Sequence, residues 1–505
     1  MAKFYLTTAI DYVNSRPHLG TAYEKVTADV IARYKRLAGF DTHFLMGNDE
    51  HSQNVYKQAQ ELGLDPHAYC NQMEQEFREV WKRLDISFDD FIRTTEDRHR
   101  ISVTALLEKM EAAGDIYEGE YEGWYCVSCE GFKQDKDLED GNCPLHRTRP
   151  DWIREKNYFF RLSKYQKPLL DQYQAHPEFL VPEIRRNEVL NVIEAGLDDI
   201  SISRAGQKWG ISAPFDRESV VYVWIDALIN YISAVGFGQD ESLFDRWWPA
   251  NLHIIGKDIT RFHCVYWPAM LLSAGVPLAH QVFGHGFVYF KGERMSKTLG
   301  TVVDPLDAAE RFGPDPLRLY MIREITHGQD GDFSWERFEA RYNADLANNL
   351  GNLVSRVSSM LTKYRNGTVP RPVGGSGGLA AAAEKAVSNY RLAMERLALQ
   401  EGAGAAFNLI DATNEFINET TPWALAKDPA SADHLTRILS DMTEAVRIAA
   451  VLLLPVMPRS CEEILRRLGQ SKPVGQIRLD PDASWGSGGE LTTQKAPALW
   501  PRLVS

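Results

Sequence analysis

Thr7 to Gly20 reads T-T-A-I-D-Y-V-N-S-R-P-H-L-G, and where it breaks decides the architecture. Upstream, the apolar run Phe4, Leu6, Ala9 and Ile10 ends in the turn cluster Asn14, Ser15, Arg16 and Pro17, a strand followed by its stop signal. Downstream, Tyr23, Val26, Val30, Ile31, Tyr34 and Leu37 recur at spacings of three and four, as along one face of a helix. The chain therefore passes from a buried strand into a helix N-terminus through His18, Leu19 and Gly20. Gly20 lets a ligand approach the backbone, and free amides of the first helical turn offer partial positive charge to a phosphate. His18 adds a side-chain donor, although a solvated turn histidine would read the same in this segment alone.

A second strand pattern, Thr42 to Asp49, delivers Asp49, Glu50 and His51 at its C-terminal end. Ligands of open parallel sheets bind at that edge, while a plain helix cap is the other use for Asp49. Helical patterns over Asp65–Leu84 and Arg98–Ala113 alternate with short apolar runs, which indicates an α/β domain with a parallel sheet. With 505 residues the chain exceeds one core, so roughly three or four domains are expected. No apolar run approaches the ~20 residues that span a bilayer and no secretory signal pattern opens the chain, so a cytoplasmic protein without membrane partners is expected. The net charge of −13 weakens non-specific nucleic-acid binding as a function but leaves room for a local basic face.

At Tyr121 the texture changes to a segment rich in Gly, Asp and Trp. Cys126, Cys129, Cys143 and His146 stand there as C-x2-C-x13-C-x2-H. Two knuckle pairs suit one tetrahedral zinc ion in a closed, structural site. Strand-like runs return at Tyr158–Leu162, Ile200–Arg204 and Val220–Ile225, the last leading to Asp226 and a helix with Tyr231. Another run, Leu252–Ile255, ends in Gly256, Lys257 and Asp258, with His263 one turn into the next helix. The knuckle thus reads as an insertion between two halves of one domain. The loop F-K-G-E-R-M-S-K-T-L-G, Phe290 to Gly300, carries Lys291, Arg294 and Lys297. It is able to close on a polyphosphate, or to serve as an ordinary solvated charged loop. From about Arg341 helical periodicity dominates, over Ala344–Tyr364, Leu379–Leu399, Ala403–Asn418 and Ala432–Leu454, and a returning tail follows Pro473. Neither G-x-x-x-x-G-K-[ST] nor G-x-G-x-x-G occurs, so a different nucleotide site is needed.

P-H-L-G-T (Pro17–Thr21) and R-M-S-K-T (Arg294–Thr298) resemble the HIGH and KMSKS signatures of class I aminoacyl-tRNA synthetases. Within that class the chain resembles the methionyl-tRNA synthetases over nearly its whole length. The matching segments are A-I-D-Y-V-N (Ala9–Asn14), G-N-D-E-H (Gly47–His51), N-Y-F-F-R-L-S-K-Y (Asn157–Tyr165), V-W-I-D-A-L-I-N-Y (Val223–Tyr231), I-I-G-K-D-I (Ile254–Ile259), D-L-A-N-N-L-G-N-L-V-S-R (Asp345–Arg356) and T-P-W-A-L-A-K (Thr421–Lys427). The resemblance implies a Rossmann-like parallel-sheet catalytic domain in two halves, 1–117 and 220–340. A zinc-binding insertion, 118–219, lies between them, and an α-helical anticodon-binding bundle with its tail follows, 341–505.

It implies activation of methionine by ATP and transfer to tRNA(Met), by a monomer using ATP, Mg2+ and one structural Zn2+. By similarity His18, Gly20, Thr21, Gly256, Asp258, Ser296 and Lys297 bind ATP, with His18, Arg294 and Lys297 catalytic. Ala9, Ile10, Tyr12, Trp224, Ala227, Leu228, Tyr231, Ile259 and His263 match the methionine pocket, Asp49 the group on the α-ammonium, and Arg204 a neighbour of the reacting centre. Asn348, Asn352, Arg356 and Trp423 match the readers of the CAU anticodon. The chain departs from the family pattern at Thr21, where the second HIGH histidine is usual, at Arg294 and Thr298 for Lys and Ser, and at Asp11 and Leu228 for proline. These departures raise the alternative of a non-catalytic tRNA-binding or partner-binding paralogue.

Overall fold

Seven strands form the sheet that the N-terminal run begins: β1 (Lys3–Thr8), β2 (Asp11–Tyr12), β3 (Asp41–Asp49), β4 (Asp90–Arg93), β5 (Leu180–Val181), β6 (Leu252–Gly256) and β7 (Val282–His285). They run in the order β2-β3-β1-β6-β7-β5, with β4 also paired to β3, and every pairing is parallel. In this computed structural model residues 2–144, 147–295, 301–370, 372, 378–493 and 496–503 are described. Strand β1 is central, with Leu6 opposite Phe44 of β3 on one side and Leu252 of β6 on the other. The strand order reverses about β1, and a crevice opens beyond the strand ends at such a point.

Alternation along the strands divides the interior in two, as a period of two requires. Leu6, Phe44 and Leu252 enter a core that continues into the helical bundle, whereas Tyr5, Leu45 and Ile255 enter one shared with the insertion. Helix α1 (Leu19–Leu37) packs on the first face. The sequence pattern marks one apolar face on it, yet Glu24, Lys25, Thr27, Asp29 and Lys35 are buried too. The reason is that α1 touches the sheet on one side and the helix Pro314–Glu324 on the other.

The insertion is built on Ile116–Cys126, which pairs antiparallel with Asp151–Phe160 from Ile116 opposite Phe160 to Tyr125 opposite Asp151. It is not continuous over the expected 118–219, because Leu180–Val181 returns to the edge of the main sheet beside Val282 and Phe283. A two-residue edge strand carries no periodicity for a sequence reading to detect. In the bundle, the helix Ala432–Leu453 is the central member, buried throughout from Ser440 to Leu453. The expected helix Ala344–Tyr364 is in fact a π-helical stretch, Tyr342–Leu350, leading into an α-helix, Gly351–Arg365. The tail does return: Leu491–Thr492 pairs antiparallel with Thr368–Val369, and Trp500 is buried against Gly351.

Candidate active site

His18 caps α1 with its side chain. Nδ1 accepts from the Gly20 amide at 3.0 Å and the Thr21 amide at 3.3 Å. An accepting Nδ1 places the hydrogen of the neutral ring on Nε2, so the imidazole is fixed as a donor through that atom. The amides of Gly20 and Thr21, expected from the sequence to be free for a phosphate, are thus engaged by His18. A Cβ on residue 20 would lie 2.9 Å from Cε1 of the ring, so glycine is required for this cap.

Beyond the cap lies a cleft of about 300 Å³ lined by Ala9, Ile10, Tyr12, His18, Gly20, Thr21, Asp49, Trp224, Gly256, Asp258, Ile259 and Arg294. The strand ends and helix starts that the sequence singled out therefore meet in one place. At Gly256 a Cβ would come within 2.6 Å of Asp258 Oδ1 and displace that carboxylate. The Tyr12 ring stands edge-on to Trp224 with centroids 5.7 Å apart, and Trp224 stacks on Phe262 at 4.2 Å. Ala227, Leu228, Tyr231 and His263 are buried residues that do not line the cleft. His263 Nδ1 lies 3.0 Å from the carbonyl of Ile259, which only accepts, so Nε2 accepts from the Tyr231 hydroxyl at 2.6 Å. Burial pushes His263 down to about 4, leaving an uncharged ring beneath the aromatic wall.

Asp49 lines the cleft together with Asp11, Glu24 and Asp258. Asp49 is buried and its carboxyl is driven well above the usual range, by burial first and then by the negative charges of Asp226 and Glu130. Asp226 behaves oppositely: burial alone would raise it, but His51 at 2.6 Å and His99 at 2.8 Å hold it near about 2. Glu24, Lys25 and His285 complete the surroundings and were missed by the sequence reading. Glu24 and His285 line the cleft, and Lys25 lies fully buried between Glu24 and Asp11. The only signal for them was a charged Glu24-Lys25 pair on a helix, which ordinarily marks a solvated face.

The knuckle sulfurs of Cys126, Cys129 and Cys143 converge within 4.8 Å of one another. Burial raises the Cys129 thiol, and three gathered sulfurs fit a soft divalent ion. His146 lies outside the described residues, as do Ser296 and Lys297. The knuckle is bonded to the pocket wall: Trp224 Nε1 donates to the Cys129 carbonyl at 3.2 Å, and the Tyr222 hydroxyl donates to that of Glu130 at 2.6 Å. A larger cavity, about 670 Å³, opens between knuckle and cleft and shares Tyr12, Trp224, Asp258, Ile259 and Arg294 with it.

Arg204 is placed differently from the expectation. It does not line the cleft but makes a paired contact with Glu155 at 2.9 and 3.0 Å and covers the Tyr125 ring at 3.9 Å. In the bundle, Asn348, Asn352 and Trp423 are exposed. Arg356 is half-buried and donates to Asn418 at 3.1 Å on the neighbouring helix.

The hairpin in which Tyr289 pairs with Arg294 brings that arginine into the cleft, and a parallel-sheet crevice of this kind beside a helical bundle has the architecture of the class I aminoacyl-tRNA synthetases. The family model of class I (M) tRNA synthetases matches residues 4–151 and 134–358, and that of the anticodon binding domain of methionyl tRNA ligase matches 374–476. The methionine–tRNA ligase of Thermotoga maritima is 45% identical over 96% of this chain and 77% of its own. That of Thermosynechococcus vestitus is 45% identical over 96% and 94%. A solved Mycobacterium tuberculosis methionyl-tRNA synthetase in complex with methionyl-adenylate superposes with a TM-score of 0.93 at 42% identity, covering 99% of this chain and 100% of that one. The chain belongs to the methionyl-tRNA synthetases, the ligases that activate methionine with ATP and join it to tRNA. Nothing in these comparisons favours a non-catalytic paralogue.

Proposed function

We propose that both steps of the reaction run in the cleft at the C-terminal edge of the sheet. ATP enters as its Mg2+ complex. His18, through Nε2–H, and Thr21 face the phosphates, Gly256 and Asp258 hold the adenosine, and Arg294, Ser296 and Lys297 close over the polyphosphate. A methionine carboxylate oxygen attacks the α-phosphorus, the bond to pyrophosphate breaks, and Arg294 and Lys297 stabilise the charge that develops. Ala9, Ile10, Tyr12, Trp224 and Ile259 surround the thioether, with Ala227, Leu228, Tyr231 and His263 behind them, and Asp49 takes the α-ammonium. A terminal hydroxyl of tRNA then attacks the methionyl carbonyl, and AMP leaves.

The larger cavity beside the knuckle is the approach for the tRNA end. Asn348, Asn352, Arg356 and Trp423 read the CAU anticodon from the bundle. Cys126, Cys129 and Cys143, with His146, hold one zinc ion whose part is to fix the knuckle. No chemical role is proposed for Arg204, since reaching the cleft would break its pairing with Glu155. The functional units are 1–117 with 220–340, 118–219 and 341–505, with Leu180–Val181 counted in the sheet. No helix among the described residues is long and apolar enough to cross a membrane, and we take the enzyme to work as a monomer in the cytoplasm.

The observation that carries this reading is the meeting of capped His18, the aromatic wall and Asp49 in one cleft. Amino-acid-dependent exchange of pyrophosphate into ATP, run against a panel of amino acids, tests it. Exchange with methionine and none above background with cysteine, isoleucine or valine is expected; exchange preferring another amino acid, or none at all, would overturn it.

A further inference from the structure

We propose that Lys25, which lines neither substrate, is a positioning residue that ties the methionine half of the cleft to its ATP half. This rests on the functional reading above.

The Lys25 side chain is fully buried, and its ammonium meets three acceptors: the Ala9 carbonyl at 2.7 Å, Glu24 Oε1 at 2.6 Å and Asp11 Oδ2 at 3.1 Å. Two of these are hydrogen bonds, to Ala9 and Glu24, and Asp11 Oδ2 stands at ion-pair distance, so the ammonium is held between the two carboxylates. Two of these acceptors belong to the bend from β1 to β2, which presents Ala9, Ile10 and Tyr12 to the methionine side. Glu24 belongs to α1, four residues beyond Gly20, on the phosphate side. The linkage continues from there, for Glu24 Oε2 lies 2.9 Å from His285 Nε2, and His285 stands in register with Gly256 on the adenosine edge. His285 Nδ1 lies 2.7 Å from the Gly286 carbonyl, which fixes the ring between Glu24 and the strand end.

A buried ammonium is tolerated only while its carboxylates stay charged and close, and a carboxylate left without it is costly. Displacing either arm therefore disturbs the other. Asp11 is the arm on the methionine side, and it lines the cleft. Burial lifts its carboxyl to about 6 even with Lys25 beside it. Around Asp11 stand Lys25 and Glu24 of α1 and, from the helix behind, Tyr231.

The test is methionine-dependent pyrophosphate exchange by the full chain. Lys25→Met is expected to raise KM for methionine and KM for ATP together, each by about tenfold, with kcat lowered by less than about threefold. The acid limb of kcat/KM for methionine should move to higher pH as Asp11 loses its counter-charge, and adding Asp11→Asn should remove that shift. A purely structural lysine would lower Tm while the folded enzyme kept both Michaelis constants and the pH profile, and that result would overturn the proposal. So would a change in one Michaelis constant alone. If Lys25→Met does not fold, Lys25→Met with Asp11→Asn, which leaves Glu24 with His285, carries the same test of both constants. Wild-type protein with no methionine-dependent exchange would instead overturn the functional reading beneath it.

Discussion

Asp49 is a carboxyl held well above the usual carboxylate range by burial and by the charges of Asp226 and Glu130. A methionine ammonium placed against it would oppose that shift, since a nearby cation favours the carboxylate. The sign follows from linkage. With the empty site holding Asp49 high, binding favours the deprotonated form, so methionine affinity falls as pH falls through the empty-site pKa and recovers above it. Equilibrium binding followed by tryptophan fluorescence from acid to neutral pH should show this slope, with proton release on binding. Asp49→Asn should flatten the profile and weaken methionine by about tenfold or more, as expected for loss of a charge-assisted contact. A slope that survives in Asp49→Asn with Asp11→Asn would place the ammonium elsewhere.

At the scale of elements, what was legible in the sequence was whatever repeats or ends abruptly. The helix pattern after Gly20 lies in α1, and the strand that delivers Asp49 spans Asp41–Asp49. The short pieces were not legible. Helix Gln53–Glu61, capped by Ser52, has only Val55 and Ala59 buried and so shows almost no apolar stripe. Leu180–Val181 is a strand only because β7 lies beside it. Of the site, residues in signature segments came forward, whereas Glu24, Lys25 and His285 did not, because their meaning depends on which elements cover α1. The knuckle shows the same limit. Its cysteine spacing is plain in the sequence, but its bond to Trp224 is not. Because Trp224 donates to the Cys129 carbonyl, Cys143→Ala should do more than lower bound zinc from about one equivalent. It should also raise KM for methionine several-fold, by about 1 kcal/mol for a lost hydrogen bond, with little change in KM for ATP. Metal loss without any change in KM for methionine would show the knuckle and the pocket to be independent.

Across the whole molecule, the sheet domain and the helical bundle share one core, and Arg318 is one of the buried residues that bond them. Arg318, fully buried, donates to Asp29 of α1 at 2.6 Å, to the Leu84 carbonyl at 3.2 Å, and to the Pro455 and Val456 carbonyls of the bundle, both at 2.9 Å. Burial alone would raise Asp29, but Arg33, Arg318 and Ser87 hold it near about 2. A depressed carboxyl contributes stability that is present above its unfolded value and lost as pH falls toward 2. Arg318→Ala leaves three carbonyls unpaired and takes one of two guanidinium partners from Asp29, which keeps Arg33 and Ser87, so it should cost about 2 to 4 kcal/mol, with acid unfolding beginning at higher pH. It should damage pyrophosphate exchange and tRNA charging alike. Trp423→Ala should separate them. Trp423 is 44% exposed on the short helix Pro422–Leu425, so little packing is lost with its ring. If it stacks on an anticodon base, its removal should weaken charging by about 1 to 3 kcal/mol, with pyrophosphate exchange and Tm nearly unchanged. Exchange and charging measured on both variants decide the matter. Should Trp423→Ala lose both activities together with a lowered Tm, its ring is a packing element of the bundle, and the anticodon must be read by other residues.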